Sequence, residues 1–240
     1  MAEARCIIMP LTKSKGNMYP WVTHKHTHLG GACPHKCSYC YVQAIAKRFG
    51  DDRYTGDLRL VERELYVKYG EGRTIFVEHC NDLWADGVPD AWIDAILAHC
   101  RAWPNQYVYQ SKNPDRMRAW LDKMPPDRLL GCTIESTEGD VIRQVSEAPH
   151  PLMRCKAMCE LHGEGERVYL TIEPILRGDM RRLAQWCAMI MPEFVNVGAD
   201  SKGTGLPEPA PAEVVHLLDQ LQMLYGGDVR LKSNLGRLRM

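Results

Sequence analysis

The chain has 240 residues, enough for one domain with a sizeable core. Lys plus Arg and Asp plus Glu stand at 30 each, so the formal net charge is zero, which argues against a protein that coats nucleic acid by charge alone. No apolar run approaches the ~20 residues needed to span a bilayer. In chain order, a first strand is expected over Val22–Leu29, after an extension over 1–21. RTIFVEHC (73–80) is the second strand, with a helix over Pro89–Ala102 in which Trp92, Ile93, Ile96 and Leu97 keep helical spacing. QYVYQSK (106–112) leads to a helix over Asp115–Asp122, and RLLGCTIES (128–136) to helices near Glu138–Ser146 and Leu152–His162. RVYLTIEPIL (167–176) precedes a helix near Met180–Met191, FVNVGADS (194–201) a helix near Ala212–Leu224, and VRLKSN (229–234) closes the series. About seven β/α alternations predict α/β architecture with a parallel sheet: a full or partial (β/α) barrel in one domain, or an open doubly wound sheet.

Ligands of such sheets collect at the carboxyl ends of the strands. The strand ends here carry Asp82, Lys112, Glu135, Glu173, Asp200 and Lys232. A single polar strand end marks a wet loop as readily as a site, but several together point to a site.

Ten cysteines without a secretory signal, the apolar run Cys6–Met9 being too short for one, point to thiols in a reducing cytosol. Three of them, Cys33, Cys37 and Cys40, stand in GACPHKCSYCYV after the first strand. A disulfide framework wants even numbers and a structural zinc site wants four ligands. Three thiolates in a loop suit an iron–sulfur cluster with one iron left open. The competing reading is a zinc-stabilised, non-catalytic binding module with His35 or another histidine as fourth ligand, although His35 lies awkwardly close to its neighbours in the chain. Cys155 and Cys159, four apart in a helical run, read as packing. HKHTH sets His24, His26 and His28 on one strand face, where they bind a second metal, fill a polar interior or meet substrate. The basic tail, Arg230, Lys232, Arg237 and Arg239, reads as a solvated segment.

The C-x3-C-x2-C spacing, with aromatic Tyr39 before the third cysteine, resembles the signature of the radical S-adenosylmethionine (SAM) superfamily. GGACPHKCSYCYV, IFVEHCNDLW, YQSKNPDRM, LLGCTIES, LTIEPIL and VNVGADS together resemble a phage-associated family distantly similar to spore photoproduct lyase. Glu78, His79 and Cys80 depart from that family's small residues. The resemblance implies a [4Fe–4S] cluster on Cys33, Cys37 and Cys40, SAM chelated to the open iron, and reductive cleavage to a 5′-deoxyadenosyl radical that abstracts hydrogen. It implies an electron donor such as flavodoxin or ferredoxin, and a substrate among nucleic-acid bases or modified nucleotides, as in phage DNA modification or repair. Tyr39 is then expected near the adenine, Glu135 on the ribose hydroxyls, Asp82 near the methionyl amine, and Glu173 and Asp200 on SAM or substrate. Lys112 and Lys232 would meet the methionyl carboxylate or an anionic substrate. Period-two alternation places Cys80 on the same face as Asp82, where a thiol returns a hydrogen atom to a product radical or simply fills the core.

Overall fold

The computed structural model describes residues 11–15, 18–50, 52–201 and 203–238. The apolar run Cys6–Met9 and Arg239 lie outside them. Strands β1 (Thr12–Lys13), β2 (His24–His26) and β3 (Leu29–Gly30) precede helix α1 (Tyr41–Phe49). Then come β4 (Arg59–Leu60), β5 (Thr74–Val77), α2 (Asp90–Arg101), β6 (Gln106–Ser111), α3 (Asp115–Arg118) and β7 (Arg128–Thr133). The series ends with α4 (Gly139–Arg143), α5 (Pro151–Gly163), β8 (Val168–Ile172), α6 (Met180–Ile190), β9 (Phe194–Val197), α7 (Pro211–Gln220) and β10 (Asp228–Leu231).

One eight-stranded sheet has the order β1-β2-β5-β6-β7-β8-β9-β10, and β3 and β4 form a separate pair. From β2 to β10 neighbours are parallel; β1 joins the edge antiparallel. The sheet is the expected α/β type. Among the described residues its edge strands β1 and β10 do not pair, so it is an open, partial barrel.

Side chains alternate across each strand, and the two faces do different work. Toward the helices, Ile75, Val77, Tyr107, Tyr109, Leu130, Cys132, Leu170, Val195 and Val197 join the main core with Ile93, Ile96, Leu97, Met158 and Leu183. On the other face Phe76, Val108, Leu129, Tyr169 and Phe194 form a second cluster with Tyr19 and Val22. Residues 18–22 pack onto this face: Tyr19 lies edge-on against Tyr169 and donates to Gln110. Gly131 leaves the room that the Tyr169 ring fills, since a Cβ there would stand 2.2 Å from the ring.

Two expected strands end early. The first splits into β2 and β3 because the Glu78 carboxylate takes the backbone N–H groups of His28 and Leu29 in place of a strand partner. The second stops at Val77: Glu78 has φ +59°, outside the extended region. The period-two argument that aligned Cys80 with Asp82 therefore does not apply, though both residues reach one cavity. The basic tail is not simply solvated. Arg230 lies over the Phe194 ring, Lys232 pairs with Glu173, and Arg237 pairs with Glu208.

Candidate active site

Higher along the inward face of the strands, the side chains turn polar. Gln110, Lys112, Thr133, Thr171 and Glu173 line a cavity of about 510 Å³ at the carboxyl ends of the parallel strands. Cys33, Cys37, Tyr39 and Cys40 line its wall, with Glu78 to Asp82, Asp200 and Lys232 around the remainder. Ten of the eleven expected site residues thus share one space.

The cysteine loop is held from both ends. His35 Nε2 lies 2.8 Å from Asp82 Oδ2, the His35 carbonyl accepts from Ser146 Oγ (3.1 Å) and Glu147 N–H (2.8 Å), and Cys37 Sγ lies 3.1 Å from Ser146 Oγ. Asp82 also accepts from Ser111 Oγ, the Lys112 N–H and the Trp84 N–H. Burial alone would raise its pKa, but His35 and these donors hold it below the usual carboxylate range. Asp82, expected near the methionyl amine, lines the cavity and also fixes the loop. His35, the nearest fourth ligand for zinc, commits its Nε2 to Asp82.

Glu135 is the expected residue that does not reach the cavity wall. It is fully buried beneath Tyr39 and Lys112. Its Oε1 lies 2.8 Å from Lys112 Nζ and accepts from the Tyr39 hydroxyl, and its Oε2 lies 2.7 Å from Arg154 Nη1. Pairing in β7 stops at Thr133, and Arg154 on α5 captures the carboxylate below the cavity. Burial would raise the pKa of Glu135, but Lys112 and Arg154 bring it down to about 2. Glu135, expected on the ribose hydroxyls, forms a buried ion-pair platform under the cavity with Lys112 and Arg154. Lys112 remains half-committed to that platform, with its ammonium over the Tyr39 ring. Against burial, Glu135 keeps it charged.

Across the cavity, Lys232 Nζ bridges both Glu173 oxygens at 3.0 and 2.9 Å. Gly198 lets Glu173 lie there, because a Cβ would come within 3.0 Å of the carboxylate. Asp200 accepts from the Thr204 N–H and hydroxyl and orders the loop after β9. Cys80 lines the cavity, its N–H donates to Thr27 Oγ1 (3.3 Å), and burial raises its pKa.

No cysteine among those described is in a disulfide. Among the described residues, no three His, Cys, Asp or Glu side chains are gathered tightly enough to hold one metal ion. His26 and His28 lie buried beside Tyr69 and His99, whereas His24 Nδ1 lies 2.9 Å from the Thr23 hydroxyl. Burial, then the Asp82 carboxylate, raises the Cys33 thiol; burial also raises Cys37. A cationic centre would reverse both by deprotonating the thiols.

Sequence reasoning missed Arg154, the His35–Asp82 contact and Tyr19. Arg154 had a signal: it shares the buried face of α5 with Pro151, Cys155, Met158 and Leu161 at helical spacing. The His35–Asp82 contact joins residues 47 apart and had none.

A parallel sheet opening at its carboxyl ends onto a three-cysteine loop has counterparts among solved α/β structures. Spore photoproduct lyase complexed with dinucleoside spore photoproduct matches with a TM-score of 0.64 at 13% identity, over 95% of this chain and 81% of that one. A substituted form of that lyase with bound AdoMet and the same dinucleoside gives 0.62 at 12%, over 90% and 78%. Streptococcus suis SuiB bound to S-adenosylmethionine gives 0.54 at 10%, over 87% of this chain and 49% of that one. At these identities the likeness establishes the fold. The chain belongs to the DUF5131 family, proteins of unknown function, whose model matches residues 21–201. No curated protein sequence matches it. Among the described residues, no helix is long and apolar enough to cross a membrane.

Proposed function

We propose that this chain is a radical SAM enzyme. The observation that carries the reading is the set of three unpaired thiols, Cys33, Cys37 and Cys40, on the wall of the cavity at the carboxyl ends of the parallel strands. These cysteines would hold a [4Fe–4S] cluster, with SAM beside it in the cavity. When bound, the pair supplies one-electron cleavage of the SAM sulfonium to a 5′-deoxyadenosyl radical that abstracts hydrogen. The chain's own residues position and enclose. His35, Asp82 and Ser146 fix the loop. Tyr39 and Lys112, supported from below by Glu135 and Arg154, form a rigid wall. Glu173, Lys232 and Asp200 present charge on the opposite side for SAM or substrate. Cys80 offers a thiol to a product radical from the cavity wall.

The substrate reading is a nucleic-acid base or modified nucleotide, in phage-type DNA modification or repair. Its support is the likeness to spore photoproduct lyase, whose structure holds a dinucleoside photoproduct. An electron donor such as flavodoxin or ferredoxin would supply the electron in the cytoplasm.

Anaerobic reconstitution tests the reading. About four irons and four sulfides per chain, with 5′-deoxyadenosine released on reduction with SAM, are expected. A triple alanine variant of Cys33, Cys37 and Cys40 that kept its iron and sulfide would overturn it.

A further inference from the structure

Behind the cavity wall lies a chain of titratable groups that the proposed chemistry does not use. Glu78 lines the cavity, and its Oε1 lies 2.7 Å from His28 Nδ1. His28 Nε2 lies 2.9 Å from His99 Nδ1, and His99 Nε2 lies 2.8 Å from the Val67 carbonyl oxygen. Glu78 and His28 are buried; His99, on α2, is half-buried and forms the end nearest solvent.

Proton counting constrains this chain. A carbonyl oxygen only accepts, so His99 Nε2 carries hydrogen. Each of the three contacts is a hydrogen bond only if one proton lies in it. An ionised Glu78 with two neutral imidazoles supplies two protons, one too few. Without a third, His28 Nε2 and His99 Nδ1 face each other as two acceptors; Tyr69 can serve the first, and the second is left bare, which is costly. We propose that Glu78, His28 and His99 form a relay that holds one additional proton and passes it between the cavity wall and α2.

The relay balances at every stage. The proton begins on Glu78, with hydrogens on Nε2 of both rings. As the Glu78 O–H bond breaks, an N–H bond forms at His28 Nδ1. As the His28 Nε2–H bond breaks, one forms at His99 Nδ1, leaving His99 as the cation. The triad is neutral in sum throughout, so no net charge is added to the interior.

The backbone supports a built site. Glu78 adopts a left-handed φ that a non-glycine residue rarely takes, and its carboxylate accepts the His28 and Leu29 N–H groups. The surroundings keep the stages close. Burial raises the Glu78 pKa to about 7, with the nearby Asp82 adding and Arg53 opposing. Burial, then His99 and Arg53, lowers His28. His26, its ring 4.5 Å from that of His28, is itself pushed down to about 2, chiefly by burial, and stays neutral. Tyr69, whose hydroxyl lies 3.1 Å from His28 Nε2, and Cys100 on α2 keep their protons because burial raises both.

The rival arrangement has two protons only: His28 hydrogenated at Nδ1 toward Glu78, its Nε2 accepting from Tyr69, and His99 hydrogenated at Nε2 alone. Imidazole 15N and carboxyl 13C NMR on the full chain, labelled in histidine and glutamate and purified without added iron, separates the two. The expected result near neutral pH is a proton between His28 Nε2 and His99 Nδ1. On raising the pH, the signals of both rings and the Glu78 carboxyl carbon should move together in one step. If both of those nitrogens are bare across the neutral range, or the rings titrate independently, the relay is wrong. Glu78→Gln should abolish the shared step; its persistence would remove Glu78 from the relay. Because the measurement needs neither cluster nor SAM, its outcome is independent of the reading of the cysteine triad.

Discussion

Arg154 Nη1 stands 2.7 Å from Glu135 Oε2, and neither side chain is exposed. The carboxylate also meets Lys112, so one anion beneath the cavity is shared by two cations. Breaking a buried pair leaves an uncompensated charge and costs about 3–5 kcal/mol. Arg154→Met and Glu135→Ala should each lower stability by about that amount in urea denaturation. The double variant Glu135→Gln with Arg154→Met should recover part of the loss, because no guanidinium is then left buried without its anion and only Lys112 loses its partner. Two single losses that simply add would mean that the pair is not coupled.

The same platform sets a pH dependence. The folded-state pKa of Glu135 is about 2, against an ordinary value of 4.5. Its stabilisation is therefore fully present above about pH 4.5 and is lost as pH falls toward 2. The unfolding midpoint of the wild type should drop through that window, and Glu135→Gln should flatten the drop. Equal slopes in both proteins would place the acid-sensitive group elsewhere. Glu78 has the opposite sign: its raised pKa gives stability that is complete below its ordinary range and lost as pH rises through about 7.

His35 and Asp82 hold the cysteine loop through the contact between their side chains. Groups that orient a ligand loop typically change metal affinity by about 10–100-fold. His35→Ala should therefore still take up iron, but release it to a chelator about tenfold faster or more than the wild type. Loss of all iron would make His35 a ligand, and an unchanged rate would make the contact incidental.

Gly131 and Tyr169 fit by absence of a side chain. A methyl group at Gly131 would overlap the Tyr169 ring, whose hydroxyl donates to Gln110 at the cavity floor. Gly131→Ala should destabilise by about 1–3 kcal/mol, the usual cost of overpacking, read from thermal or urea melts. Pairing it with Tyr169→Leu should relieve the overlap and restore part of the loss.

Much of the fold was legible because it is local. The apolar runs 106–112, 128–136 and 167–176 carry their own strand signal, and the intervening helices keep their spacing. The sequential β/α order then leaves few topologies open. The cysteine spacing was legible for the same reason: the three thiols lie within eight residues of one loop. What the tertiary structure decided was which polar strand ends face the cavity. Asp82, Glu135 and Glu173 look alike in the sequence. In the fold one is taken by His35, one by Arg154 and Lys112, and one by Lys232. The ends of β2 and β5 were decided the same way, by a carboxylate reaching back to backbone N–H groups 49 and 50 positions away. A carboxylate's role is set by which cation or donor the fold brings to it, and those partners are distant in the chain. Local pattern settles where strands and ligand loops lie; burial and long-range pairing settle what each buried charge is for.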